Sequence, residues 1–298
     1  MRITASPNSC EDDMRSRKTA FIGVLLRGVE DHYVLGRGVS DSIRLDAQHL
    51  LWGMYLGHIL HPQIPITEGM KIAELGTGTG IWLFDASRKL PPAVELHGYD
   101  LSDGQFPARH LWPENVILGV MDSLIDPPSN LVGQYDVVHL RMWASNLKEN
   151  DTAPVLEHAK KLLKPGGYIQ WEDADLVNQA VCGGEAEQFA GMMRELFKQV
   201  GLQYEWVADL PNRFPSHGFE VLHTGNKKFH HDLIQLCTNT YLMAIAEILR
   251  GIERNSVASD STISVWVHEE TLSKLLQNTK HGMVYNWIPI TVLGQKKN

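Results

Sequence analysis

At 298 residues the chain is long enough for one large domain, or for a core domain with a small cap. Hydrophobic residues at 43% and charged residues at 21% are ordinary for a globular protein in water, and a net charge of −8 speaks against a general nucleic-acid binder, which needs a basic face. Three widely spaced cysteines, Cys10, Cys182 and Cys237, exclude a disulfide framework and a CxxC metal site, and imply a reducing, cytoplasmic compartment.

Taken in chain order, residues 1–17 read as a flexible polar tail with no apolar signal core. Residues 18–65 read as an N-terminal helical lid. Within it, SDSIRLDAQHLLWGMYLGHIL carries a start signal at Ser40 or Asp41, then apolar residues at helical spacing, and Pro62 and Pro65 close the segment. Residues 66–298 then alternate short β-like runs with helix-like runs. Strands are expected at 70–75, 94–100, 115–122, 135–142 and 168–173, with helices at 81–90 and 151–164 between them. Helical insertions are expected around 185–217 and 232–279, with 203–217 irregular and 254–264 a Ser/Asp loop. Strands at 218–229 and 283–295 complete the chain. The run YLMAIAEIL at 241–249 is too short to span a membrane and reads as a core helix. This order predicts an α/β fold: a Rossmann-like, doubly wound, mostly parallel seven-stranded sheet with an N-terminal helical lid and a helical insertion before the last strand.

The chemistry concentrates in AELGTGTG at 73–80, where the first strand hands over to a helix. Such a turn lies at the carboxyl edge of a parallel sheet, where these folds bind ligands. Glycine lets the backbone approach a ligand at positive φ, and the helix start offers unpaired N–H groups to an anion. A nucleotide P-loop needs a lysine that is absent here, and the NAD pattern GxGxxG fails because Ile81, not glycine, takes the third place. S-adenosylmethionine (SAM) has a carboxylate and an ammonium but no phosphate. An acid two residues ahead of alternating glycines suits it, and Glu74, Gly76, Gly78 and Gly80 stand in that register, with Thr77 inside the loop. Asp100, at the end of the second strand, is placed to accept both ribose hydroxyls, and Asp122, at the end of the third, to accept the adenine amino group.

These motifs resemble the class I SAM-dependent methyltransferases, and in detail the methyltransferases of fungal secondary metabolism. The resemblance rests on Leu45 to His49 (LDAQH), Gly76 to Trp82, Asp100-Leu101-Ser102, Tyr135 to Met142 and Leu163 to Gly167, and covers roughly 33–175. One departure is QWED at 170–173, where the family more often has its acid earlier in the strand. The resemblance implies SAM as cofactor, a small-molecule substrate methylated on oxygen or nitrogen, and a monomer or homodimer with no nucleic-acid or membrane partner. It extends the cofactor set to Tyr33, Gln48, Leu101, Met121, Ser123 and Arg141, and brings His49 and His58 near the site.

Methyl transfer is an in-line displacement, so the protein mainly positions the acceptor and excludes water. Glu172, His139 and Arg141 are the candidate catalytic residues at the edge of strands four and five, with Met142, Trp143 and Asp173 beside them. Plain structural roles compete at each: His139 as a bonded core histidine, and Arg141 and Glu172 as a sheet-edge ion pair. Trp206, Phe214 and Trp266 offer an apolar pocket or ordinary core. His230-His231 is read as a helix-start region rather than a metal site, because no third ligand stands at the usual spacing. Three rival functions remain open: a protein-interacting regulator, a SAM-binding protein that templates a rearrangement or cyclisation, and an NAD-dependent oxidoreductase.

Overall fold

The computed structural model describes residues 35–147, 150–255 and 269–297. The expected tail, the lid before residue 35 with Tyr33, most of the 254–264 loop and Trp266 lie outside the described residues. Helix α1 spans Val39–Leu56. It stops five residues before the expected end at 61, because Gly57 takes a left-handed conformation (φ 71°) and returns its N–H to Gly53 O, an αL cap.

Then follow β1 (Lys71–Leu75), α2 (Ile81–Lys89), β2 (Glu95–Asp100), β3 (Val116–Val120) and β4 (Tyr135–Arg141). Helix α3 (Ala153–Leu162) leads into β5 (Leu163–Cys182). Next come α4 (Gly184–Gln199), α5 (Glu205–Ala208), α6 (Leu210–Arg213), β6 (Phe219–Gly225), α7 (Ile234–Asn255), α8 (Glu269–Asn278) and β7 (Val284–Lys296). The seven strands form one sheet in the order β3-β2-β1-β4-β5-β7-β6, with only β7 antiparallel to its neighbours, as the expected fold class requires.

Two elements differ from expectation. The 203–217 stretch is not irregular: it folds into α5, α6 and a 3₁₀ turn at Pro215–His217, with Trp206 and Phe214 buried between them and the sheet. Strand β5 is 20 residues long rather than six, because β7 pairs along it well past the carboxyl edge of β4. The connections from β2 to β3 and from β3 to β4 contain only 3₁₀ turns, Arg109–Leu111 and Ser129–Leu131. Ile117 and Val120 at that sheet edge are therefore exposed. The opposite half is thickly covered. Trp171, Trp206, Trp287, Tyr285, Phe214 and Phe219 bury their rings there. Among the described residues no helix is long and apolar enough to cross a membrane.

Candidate active site

The loop from Leu75 to Ile81 turns on three glycines with left-handed backbones, Gly76 (φ 71°), Gly78 (φ 56°) and Gly80 (φ 76°). A side chain at Gly76 would press on the Trp143 indole at 3.1 Å, and one at Gly78 would meet Leu45 of α1 at 2.9 Å. Glycine is therefore required twice over, for conformation and for space. The loop is hung from β2: the amides of Gly76 and Thr77 both donate to Tyr99 O, at 2.8 and 3.0 Å.

Asp100 ends β2 beside this loop. Its Oδ2 accepts the Gly78 amide at 2.9 Å, and Oδ1 takes a long 3.4 Å contact from Ser102 N. The Leu101 amide also bonds this carboxylate. Burial raises the Asp100 pKa, and the Gly78 and Ser102 amides and nearby Arg37 oppose that rise. Beyond Asp100, Leu101 is half exposed, Met121 and Ser123 are buried, and Asp122 accepts the Leu124 amide at 2.8 Å. These residues stand just past the carboxyl ends of β2 and β3.

Glu74, His139, Arg141 and Glu172 are brought together as one buried chain. The register pairs Glu74 with His139 and Arg141 with Glu172, so the four share a sheet face. Thr77 Oγ1 donates to Glu74 Oε2 at 2.6 Å, and Glu74 Oε1 lies 3.2 Å from His139 Nδ1. His139 Nε2 lies 3.4 Å from Glu172 Oε2, which also accepts Arg141 Nε at 2.6 Å. The other Glu172 oxygen accepts Gln170 Nε2 at 2.6 Å. Trp82 stacks flat on the His139 ring, centroids 3.8 Å apart at 6°. Glu172 is deeply buried, and burial alone would raise its pKa. The Arg141 charge and the His139 contact outweigh burial and hold the carboxyl down at about 2.

Arg141 carries the chain outward. Its Nη1 donates to His49 Nδ1 at 3.0 Å, and its guanidinium lies 5.5 Å from the Trp52 ring centre. Because Arg141 only donates, His49 Nδ1 accepts and Nε2 carries the proton, 3.2 Å from Asp85 Oδ2. Gln48 stands elsewhere on α1: its Oε1 accepts Arg44 Nη1 at 3.1 Å, and Arg44 is paired with Glu247 of α7 at 2.6 Å. His58 is outside this chain and sits beside His61. Asp173 turns away from Glu172. It is buried and accepts N–H groups from Trp143, Ala144, Trp171 and Ala174.

Sequence reasoning missed several parts. Gln170 and the stacked Trp82 buttress the chain, and Arg44–Glu247 joins α1 to α7. The apolar setting of Glu247 in YLMAIAEIL was a signal, since a lone acid inside an apolar helix needs a buried partner. Met142, expected beside the edge of strands four and five, takes φ 59°, rare for a residue of its kind, where β4 ends. His230, His231 and Asp232 cluster closely enough to offer ligand atoms to a metal ion, and all three are exposed.

A seven-stranded sheet with a single reversed strand, a glycine loop after β1 and an acid ending β2 define a Rossmann-like domain built to hold a nucleoside. Comparison with known proteins narrows the class. Residues 73–169 match the family model for the methyltransferase domain. A Penicillium methyltransferase is 37% identical over 154 residues, covering 49% of this chain and 53% of that protein. An N-methyltransferase of Clonostachys rogersoniana is 30% identical over 146 residues, covering 49% and 51%. The chain thus spans about half the length of these curated relatives. The fold is shared with a Haloferax volcanii putative methyltransferase solved with the Trm112 activator, at TM-score 0.51 and 15% identity, covering 92% of this chain and all of that one. Over residues 73–169 the chain is thus similar to methyltransferase domains, set in a Rossmann-like seven-stranded sheet.

Proposed function

We propose that the protein is a SAM-dependent methyltransferase that moves a methyl group to an oxygen or nitrogen of a small molecule of secondary metabolism, in the cytoplasm. The observation that carries this is Asp100, whose carboxylate ends β2 beside the glycine loop and is anchored there by Gly78 N. The bound cofactor supplies a methyl group already activated on a sulfonium. Every other task falls to the chain. The glycine loop and the start of α2 border the cofactor carboxylate, Glu74 faces its ammonium, and Asp100 takes the ribose hydroxyls. Leu101 and Met121 to Ser123 border the adenine.

Residues 35–65 serve as the lid. Leu45 already touches the glycine loop, and Asp46 accepts Thr79 Oγ1 at 2.8 Å. Gln48 braces Arg44 within it. Glu172 stays ionised and saturated, so its proposed part is to hold His139 and Arg141 in place rather than to take a proton. Arg141 then presents a fixed positive edge beside the acceptor. An acceptor nitrogen is favoured by the relative named as an N-methyltransferase.

The test is isothermal titration with S-adenosylhomocysteine, followed by product mass with methyl-labelled SAM. We expect micromolar binding that depends on Asp100, and a product heavier by one labelled methyl. Binding that ignores Asp100→Ala contradicts the cofactor site. A product of unchanged mass replaces transfer with rearrangement.

A further inference from the structure

Helix α1 meets the rest of the site through one short stretch, Leu45 to His49. Leu45 lies against Gly78 of the glycine loop, and Asp46 accepts Thr79 Oγ1 at 2.8 Å. Gln48 faces the other way, bonding Arg44 on the side of α7. His49 stands one turn after Leu45 and Asp46, and its two ring nitrogens reach two different elements, β4 and α2.

The link to β4 allows one chemistry. Arg141 Nη1 stands 3.0 Å from His49 Nδ1, and a guanidinium has hydrogens to give but no lone pair to offer. His49 Nδ1 must therefore accept, and its hydrogen sits on Nε2, 3.2 Å from Asp85 Oδ2. The rest of the guanidinium is already held. Its Nε and Nη2 lie 2.6 and 2.5 Å from the buried Glu172 Oε2, and its carbon lies 5.5 Å from the Trp52 ring centre. Arg141 is thus fixed from the sheet side, and His49 joins α1 to it.

The charges around His49 pull in two directions. Arg141 of β4 faces Nδ1. Asp85 of α2 faces Nε2 and also holds Lys89 at 2.7 Å, while Glu74 of β1 acts from farther off. Glu247 and Arg250 of α7 are engaged by Arg44 and Asp41, earlier on α1. Burial and the Arg141 charge lower the His49 pKa from 6.5, against the opposing pull of Asp85 and Glu74. A proton arriving on Nδ1 from solvent removes the lone pair that Arg141 uses and sets two cations against each other. The same proton strengthens the pair with Asp85. The ring is then drawn toward α2 and pushed from β4.

Resting on the reading of the protein as a SAM-dependent methyltransferase, we infer that His49 is a positioning residue: through Nδ1 it holds Arg141 and pins α1 over the glycine loop, and it does so only while its ring is neutral. Acid therefore loosens α1 and lets the bound nucleoside leave faster.

The test is the release rate of S-adenosylhomocysteine, measured by stopped-flow displacement at about pH 7.5 and about pH 5, on either side of the ordinary histidine range. Wild type is compared with His49→Asn, whose amide oxygen takes the place of Nδ1 without titrating, and with His49→Phe, which cannot accept. In wild type, release is expected to be about tenfold faster at the lower pH, as loss of one hydrogen bond to a charged group implies. His49→Phe is expected to release fast at both pH values. His49→Asn is expected to stay near the slow wild-type rate at both. The Asp100 carboxyl, raised by burial, titrates in all three proteins, so the comparison isolates His49. Thermal scans at both pH values confirm that each protein is folded. The inference is overturned by wild-type release that ignores pH, by the wild-type slope persisting in either variant, or by His49→Asn releasing as fast as His49→Phe. Failure of wild type to bind S-adenosylhomocysteine at the higher pH strikes the functional reading instead.

Discussion

The two halves of the sheet are built on opposite plans. From β3 to β4 the strands are short, their crossovers are thin, and the working groups are charged and linked in sequence registers. From β5 to β6 the strands β5 and β7 are long, and the interior is largely aromatic. On the proposed reading, a shared cofactor demands fixed donors and acceptors at strand ends, which the first half offers, and the acceptor would call on the second half for shape and a few polar contacts.

Substitutions can break this division. The largest effect is expected at Asp100→Ala, which removes the ribose acceptor and weakens S-adenosylhomocysteine at least ~100-fold by titration, as two lost bonds to a charged group imply. Next is Glu172→Ala, which strands the buried Arg141 and His139. A loss of about 3–5 kcal/mol is expected in denaturant unfolding, and a loss under 1 kcal/mol would show the chain is ornamental to stability.

Asp173 sharpens the comparison through pH. Burial pushes its carboxyl up to about 6 from 3.8, despite four N–H donors. A raised acid keeps its proton longer when folded, so between pH 4 and 6 the unfolded chain releases that proton first. Stability attributable to Asp173 is therefore present below pH 4 and is lost as pH rises to 6, by about 3 kcal/mol at most. Glu172, held down at about 2, acts in the opposite sense, stabilising above pH 4.5 and losing that contribution as pH falls. Melting scans of wild type and Asp173→Asn across pH 4–6 isolate the Asp173 slope, and parallel curves would refute it. The smallest effect is expected at Gly98→Ala. The new methyl would overlap Leu83, Leu118 and Thr77 Oγ1, and overpacking of that order costs about 1–3 kcal/mol by chemical unfolding.

The strand–helix alternation was legible because strands buried on both faces are written as apolar runs, and β1 to β4 fell within a residue or two of their expected ends. The loop glycines were legible because a strand must turn into a helix there, and all three take left-handed backbones. The short helices at 205–213 were not, since Pro211 and Pro215 mask helical spacing, and neither was the bulge at 176–179, which no period marks. Trp82 and Glu247 escaped because their partners, His139 and Arg44, lie far along the chain.

By itself the sequence determined the parallel sheet and the glycine turn, because local spacing and backbone sterics dictate them. Only the tertiary structure decided that Glu172 is saturated by Arg141, that Asp173 turns inward, and that His49 accepts from Arg141. Those outcomes depend on which distant side chains reach the same buried space, and hydrogen-bond satisfaction in such a space is settled by packing, not by order along the chain.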